Sequence, residues 1–226
     1  DGRSIFYLVM IFFAAAYFIT EYLLNLCMEN ASLQNIRQFF NTHKWVLILI
    51  FIAVLCRVPL LSQLPRWDSG EYYYRLILGT HHFEYTGFKE FVENYALCGH
   101  PTLGFCLVYL PGELAFSQEV IGVTLTSLIL TALALWCVYR IFLKILPQVT
   151  EGKAAVCTFL LSFSPLFFGM TMYFNPDYAL AVFFIFLLYS YVYDKAVLAA
   201  FFSLLCFQTK ETGMVLIGGY VLGILI

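Results

Sequence analysis

The chain has 226 residues, of which 62% are hydrophobic, 19% aromatic and only 12% charged. Ordinary globular domains are roughly 45–50% apolar, and one soluble core of this length could not bury the excess, so the composition points to an integral membrane protein. A formal net charge of −2 provides no basic surface for nucleic acid.

A bilayer span needs about 20 mostly apolar residues. In chain order the sequence predicts spans at residues 5–24, 45–61, 120–141, 154–173 and 178–193, with shorter apolar runs at 196–207 and 214–226. No small-residue cleavage site follows the first run, so it reads as a span and not as a signal peptide. In lipid these runs must be helices, since only a helix satisfies its own backbone hydrogen bonds. Arg57, near the end of the second run, is expected to snorkel toward the interface. The chain starts at Asp1 and stops at Ile226 within an apolar run, the pattern of a portion of a longer protein.

Seven cysteines are scattered, most of them inside apolar runs, and none forms a CxxC pair. An odd number argues against a closed disulfide framework. Asn30-Ala31-Ser32 is a glycosylation sequon, which the topology below places in the cytosol.

The longest polar region, residues 62–101, opens with "PRWDSGEYYYR". Asp68 and Glu71 are three residues apart, so a helical turn there puts both carboxylates on one face. Trp67 and Tyr72-Tyr73-Tyr74 flank them, residue types that favour the membrane–water interface. Such a pair suits a general base toward a hydroxyl, or a ligand set for a divalent cation, magnesium or manganese. A solvated loop with an aromatic belt is the plain alternative. His81 and His82 are adjacent and point apart in either regular structure, a poor geometry for one metal.

Next comes "GHPTLGFCLVYLPGELAF", whose apolar stretch 103–110 is interrupted by Pro111-Gly112-Glu113. It is too short to cross comfortably and is expected to return to the side it left. That return puts Asp68, Glu71, His100, Asp177, Lys210 and Glu211 on one membrane face. Basic residues divide evenly between the two sides, and only the cluster of Arg140, Lys144 and Lys153 about one connection favours the opposite side as cytoplasmic.

Asn175-Pro176-Asp177 stands at the junction of two apolar runs, a helix start by composition, with Asp177 free to cap it. "QTKETG", residues 208–213, interrupts the last apolar region with adjacent opposite charges, and Lys210 could neutralise a phosphate.

Taken in order, "WDSGEYYY", "GHPTLGF", "SPLFFGMTMYFNPDYALAVFF" and "QTKETG" resemble the polytopic GT-C glycosyltransferases, in particular the protein-O-mannosyltransferase and aminoarabinose-transferase branch. The resemblance runs from about residue 45 to residue 226. It implies an all-α transmembrane bundle with a long extracytoplasmic first catalytic loop containing amphipathic helices. Residues 1–43 would be an extra N-terminal transmembrane helix and polar connection, and residues 44–226 the N-terminal part of the catalytic domain. The implied activity moves a sugar from a polyprenyl-phosphate carrier to the hydroxyl of a protein, glycan or lipid acceptor, with inversion. Asp68 matches the family's first-loop acid and is taken as general base. Glu71 and Asp177 would orient acceptor or base, or hold the cation. Lys210 with Arg66 or Arg75 would stabilise the departing phosphate, and His100 and Glu211 would join the substrate site. The family's adjacent Asp-Glu or Asp-x-Asp pair is D-x-x-E here. The implied location is a bacterial plasma membrane or the endoplasmic reticulum. A transporter or channel lined by intramembrane charges, and a non-catalytic membrane scaffold, are the rival readings.

Overall fold

The computed structural model describes residues 33–78, 102–116 and 119–225, which form helices joined by turns, with no strand among them. The expected first span, His81, His82, Cys98 and His100 lie outside the described residues. The helices are α1 (Leu33–Leu55), α2 (Leu103–Ala115), α3 (Val120–Ile145), α4 (Glu151–Ser162), α5 (Pro165–Met172), α6 (Pro176–Val192), α7 (Ala196–Phe207) and α8 (Thr212–Leu225). Between α1 and α2 a short helix, the loop helix, covers Asp68–Gly70 and continues as π-helical Glu71–Leu78.

Gln38–Leu60 and Val120–Ile145 are long and apolar enough to cross a membrane. Their 23 and 26 residues span about 35 and 39 Å at 1.5 Å per residue, against a hydrocarbon core of about 30 Å. The expected run 154–173 is instead the pair α4 and α5, bent by 60° and countable as a third span only if taken together. Pro165 causes the break. It has no N–H to donate and forces the preceding residue out of the helical region, and Ser164 has a ψ of 136°. The run 178–193 falls in α6 apart from Tyr193 just past its end, and the 17 residues of that helix reach only about 26 Å. At 12 residues, α7 is shorter still.

Contacts at the ends fix the direction of each helix. Arg140 on α3 donates to the Tyr193 hydroxyl just past α6, and His43 on α1 meets the Tyr139 hydroxyl at 3.1 Å. These mark one end of the bundle. At the other, the Thr124 hydroxyl donates to the Leu61 carbonyl at 2.8 Å, and Gly104 N–H donates to the Gln208 carbonyl at 2.7 Å. The main core gathers Tyr73, Phe105, Tyr109, Val123, Phe174 and Phe183. A smaller one joins Val46, Tyr139, Ala154 and Ala155.

Pro111 does not end α2, which runs through it to Ala115. The helix instead lies close on α3 at paired glycines. A Cβ on Gly112 would stand 2.3 Å from the Gly122 carbonyl oxygen, and one on Gly122 would stand 2.2 Å from that of Gly112. Only hydrogen fits at such a crossing.

Arg57 does not snorkel. Its side chain is fully buried, with guanidinium nitrogens donating to the Ala53 and Ser162 carbonyls and its plane 4.3 Å from the Phe168 ring. The Pro165 break explains this position. The Ser162 carbonyl lies at the end of α4, where no following helical turn supplies its donor, and in an apolar surround that lone acceptor recruits Arg57.

Candidate functional site

The polar elements near the Leu61 end are built by local rules. Past the turn Val58–Leu60, the chain reaches Trp67 at φ 56°, a positive angle unusual for a residue with a Cβ. That conformation reverses the chain, leaves the indole 86% exposed and starts the loop helix. Asp68 and Glu71 share its exposed side, as their spacing predicts, while Ser69, Tyr72, Tyr73 and Ile77 face inward. Eight π-helical residues in one stretch are unusual, and π-turns concentrate at functional sites.

Tyr73 ties this helix to the bundle. Its hydroxyl donates to Glu113 Oε2 at 3.3 Å, and its ring packs edge-on against Phe174. Burial first, then the adjacent Glu113 carboxylate, push the Tyr73 phenol well above its ordinary value, so it remains a donor. Glu113 is completely buried. Sequence reasoning missed it, although an acidic residue within an apolar run was a visible signal.

Phe174 leads directly into the second acidic element. The Asn175 side chain accepts from Asp177 N–H at 2.7 Å, and Pro176 occupies the first turn. Asn175, and not Asp177, is therefore the cap. The Asp177 carboxylate is freed to pair with Lys210, Nζ to Oδ1, at 2.7 Å. Lys210 follows Thr209, whose buried hydroxyl turns back to the Leu205 carbonyl at the end of α7. Glu211 is exposed beside it.

A cleft of about 220 Å³ lies between the segment before the loop helix and the end of α5. One wall is Gln63, Leu64, Pro65, Arg66, Trp67 and Ser69, and the other is Met172 and Tyr173 at the end of α5. Asp68 borders the first wall, and Asp177 follows four residues after Tyr173. Thus Asp68, Glu71, Arg66, Asp177, Lys210 and Glu211 all belong to segments at one end of the bundle. The backbone of Arg75 continues the loop helix. His100 lies outside the described residues.

Among the described residues no group of three or more His, Cys, Asp or Glu gathers as a metal set. Asp68 and Glu71 offer two carboxylates, which suits Mg²⁺ better than Ca²⁺. Magnesium keeps several waters and is commonly held by one or two carboxylates together with a substrate phosphate. Comparison of the chain with protein-family models, curated proteins and solved structures finds no match. The fold therefore defines a helical protein with membrane-length apolar helices and, at one end, a polar cleft with carboxylates in the neighbouring segments.

Proposed function

We propose that the protein is a multi-pass membrane glycosyltransferase of GT-C type, transferring a sugar from a polyprenyl-phosphate carrier to an acceptor hydroxyl outside the cytosol. The observation that carries this reading is the placement of the Asp68 turn and the Asp177–Lys210 pair about one end of an apolar bundle. A lipid-linked donor needs that layout. Its tail requires apolar helix surface, while its phosphate and sugar require polar groups at the interface.

Asp68, exposed at the start of the loop helix, takes the proton of the acceptor hydroxyl as oxygen attacks the anomeric carbon. The carbon–phosphate oxygen bond breaks on the opposite face, its electron pair leaving with the phosphate. A single displacement of this kind inverts the centre through an oxocarbenium-like transition state, as in glycoside chemistry. Arg66, which lines the cleft, would meet the charge growing on the phosphate. Lys210 is already paired, so Asp177 and Lys210 act as a unit that orients substrate. A Mg²⁺ or Mn²⁺ ion, where used, would rest on Asp68 and Glu71 and supply charge to the phosphate.

One feature speaks for a transporter: Arg57 is an ionisable group buried within a span. Two of its nitrogens, however, donate to helix-end carbonyls and its plane lies on an aromatic ring, while Nε has no partner. That is the chemistry of a staple between helices.

The test is Asp68→Asn in the membrane-reconstituted protein, assayed with polyprenyl-phosphate-linked sugar donors. Loss of a positioned base lowers transfer by about 10²–10⁴-fold with membrane expression unchanged. Wild-type transfer by the variant refutes the assignment.

A further inference from the structure

Arg140, in the last turns of α3, is held from one side only. Its Nε donates to the Tyr193 hydroxyl at 3.1 Å, and that hydroxyl donates in turn to the Arg140 carbonyl at 3.0 Å. The guanidinium carbon lies 5.7 Å from the centre of the Trp136 ring and 5.2 Å from that of Tyr193, and packing against aromatic faces fixes its plane. Its two terminal nitrogens make no hydrogen bond or ion pair among the described residues. A guanidinium anchored through Nε presents that remaining pair as a fork, the geometry that grips a phosphate with two parallel bonds.

The surroundings carry the same sign. Lys144 stands one helical turn beyond Arg140, on the same face of α3, and Lys195 follows Tyr193 by two residues. Both are exposed and without an ion pair among the described residues. With Lys44 and Lys153 they make this end basic, against only Glu151 and Asp194. At the Leu61 end the balance is reversed, with Arg66 and Lys210 against Asp68, Glu71, Glu119, Asp177 and Glu211. The basic end also lies at headgroup depth. The 26 residues of α3 are about 39 Å long and outreach a hydrocarbon core of about 30 Å. Trp45 is 62% exposed, with Lys44 Nζ 5.4 Å from its ring centre, and both residue types settle where bilayer meets water.

We propose that this end of the bundle is a binding surface for anionic phospholipid headgroups, with the Arg140 fork on the headgroup phosphate and Lys144 and Lys195 supplying the surrounding positive charge. A zwitterionic headgroup brings its own cation beside the phosphate and gains less from such a surface. Ile145, next to Lys144, is 56% exposed, apolar surface that an acyl chain covers and a soluble anion leaves wet. The inference rests on insertion in a membrane and not on glycosyl transfer.

Trp45→Phe and Trp67→Phe leave Trp136, beside Arg140, as the single tryptophan of the chain's three. The full chain is reconstituted in phosphatidylcholine vesicles containing rising fractions of brominated phosphatidylglycerol or, in a matched series, brominated phosphatidylcholine, which quench an indole they touch. The anionic lipid quenches Trp136 at a mole fraction about 5-fold or more below the zwitterionic one, the scale of a single basic residue near an anionic surface. Arg140→Lys keeps the charge but loses the fork, and lowers that preference by about 2-fold or more. Lys144→Gln with Lys195→Gln lowers it as well, and because neither side chain has a partner to lose, this variant melts with its parent. Equal quenching by the two lipids, or a preference unchanged in both variants, overturns the proposal. So does reversal of the quenching by polyglutamate at concentrations where glycerol 3-phosphate has no effect, which assigns the face to an acidic protein segment.

Discussion

Breaking the Lys210–Asp177 pair tests whether the two polar elements are energetically joined. The charges meet at 2.7 Å, with Lys210 18% and Asp177 48% exposed. Coulomb's law gives about 1.5 kcal/mol at the dielectric of water and about 6 at an effective value near 20. The half-exposed carboxylate keeps much of its screening, and the lysine loses both hydration and side-chain freedom. A net coupling of about 1–2 kcal/mol follows, above the usual range of about 0.2–1 for exposed pairs and below the roughly 3–5 lost when a buried pair is broken. The assay is a double-mutant cycle in detergent, with Asp177→Asn, Lys210→Gln and the double variant compared by reversible unfolding. Lys210→Gln strands a carboxylate that still reaches water. Asp177→Asn strands a mostly buried ammonium and is the more damaging single change. In a chain of this size each kcal/mol moves Tm by about 2–4 °C, so the coupling is resolvable. If the two single effects simply add, the pair is not a structural unit and Lys210 is free to act alone.

Other substitutions test the scaffold around the site. Arg57→Lys keeps the charge but loses the planar fork that reaches both Ala53 and Ser162 and lies on Phe168, so thermal unfolding should show a loss of about 2–4 kcal/mol; a neutral result refutes the staple. Gly112→Ala drives a Cβ against the Gly122 carbonyl and the Thr126 hydroxyl, and the resulting helix displacement should cost about 1–3 kcal/mol in the same assay. Gly152→Ala, where nothing lies within 4 Å, is the matched control and should be neutral or slightly stabilising. Tyr73→Phe removes a donor from buried Glu113, lowering stability by about 1–3 kcal/mol and loosening the loop helix, which amide exchange at residues 68–78 would register.

Features decided by near neighbours were legible in the residue order. The three-residue spacing of Asp68 and Glu71 placed both on the exposed side of the loop helix, and Asn175-Pro176-Asp177 announced a helix start, with the cap assigned two positions too late. Pro165 was equally visible, and a stricter reading of Ser164-Pro165 would have divided the run 154–173. Non-local features could not be read. Arg57 at the end of an apolar run has the appearance of a snorkelling residue, and only the approach of α4, 105 residues away, supplies the Ser162 acceptor that draws it inward. Lys210 and Asp177 are 33 residues apart, and their contact depends on α7 packing back along α6.

These non-local contacts also explain how the cleft holds its shape with so little regular structure in its walls. The first wall hangs from α1 and is fixed at its root by the Thr124 hydroxyl on the Leu61 carbonyl. The second is the end of α5, a helix of only 8 residues that would be marginal alone. Arg57 spans the two supports, since it belongs to the α1 end yet bonds the last carbonyl of α4 and stacks on Phe168 in α5. A buried guanidinium is costly in an apolar bundle. It is tolerated here because the proline break leaves a carbonyl that needs a donor, and satisfying it sets α5 at the angle that brings Met172 and Tyr173 opposite Arg66 and Ser69. Straightening the break would supply that carbonyl from within the helix, but it would also carry the second wall away from the first. On this argument the bend, the buried arginine and the cleft are one construction, and weakening Arg57 should widen the cleft before it unfolds the bundle.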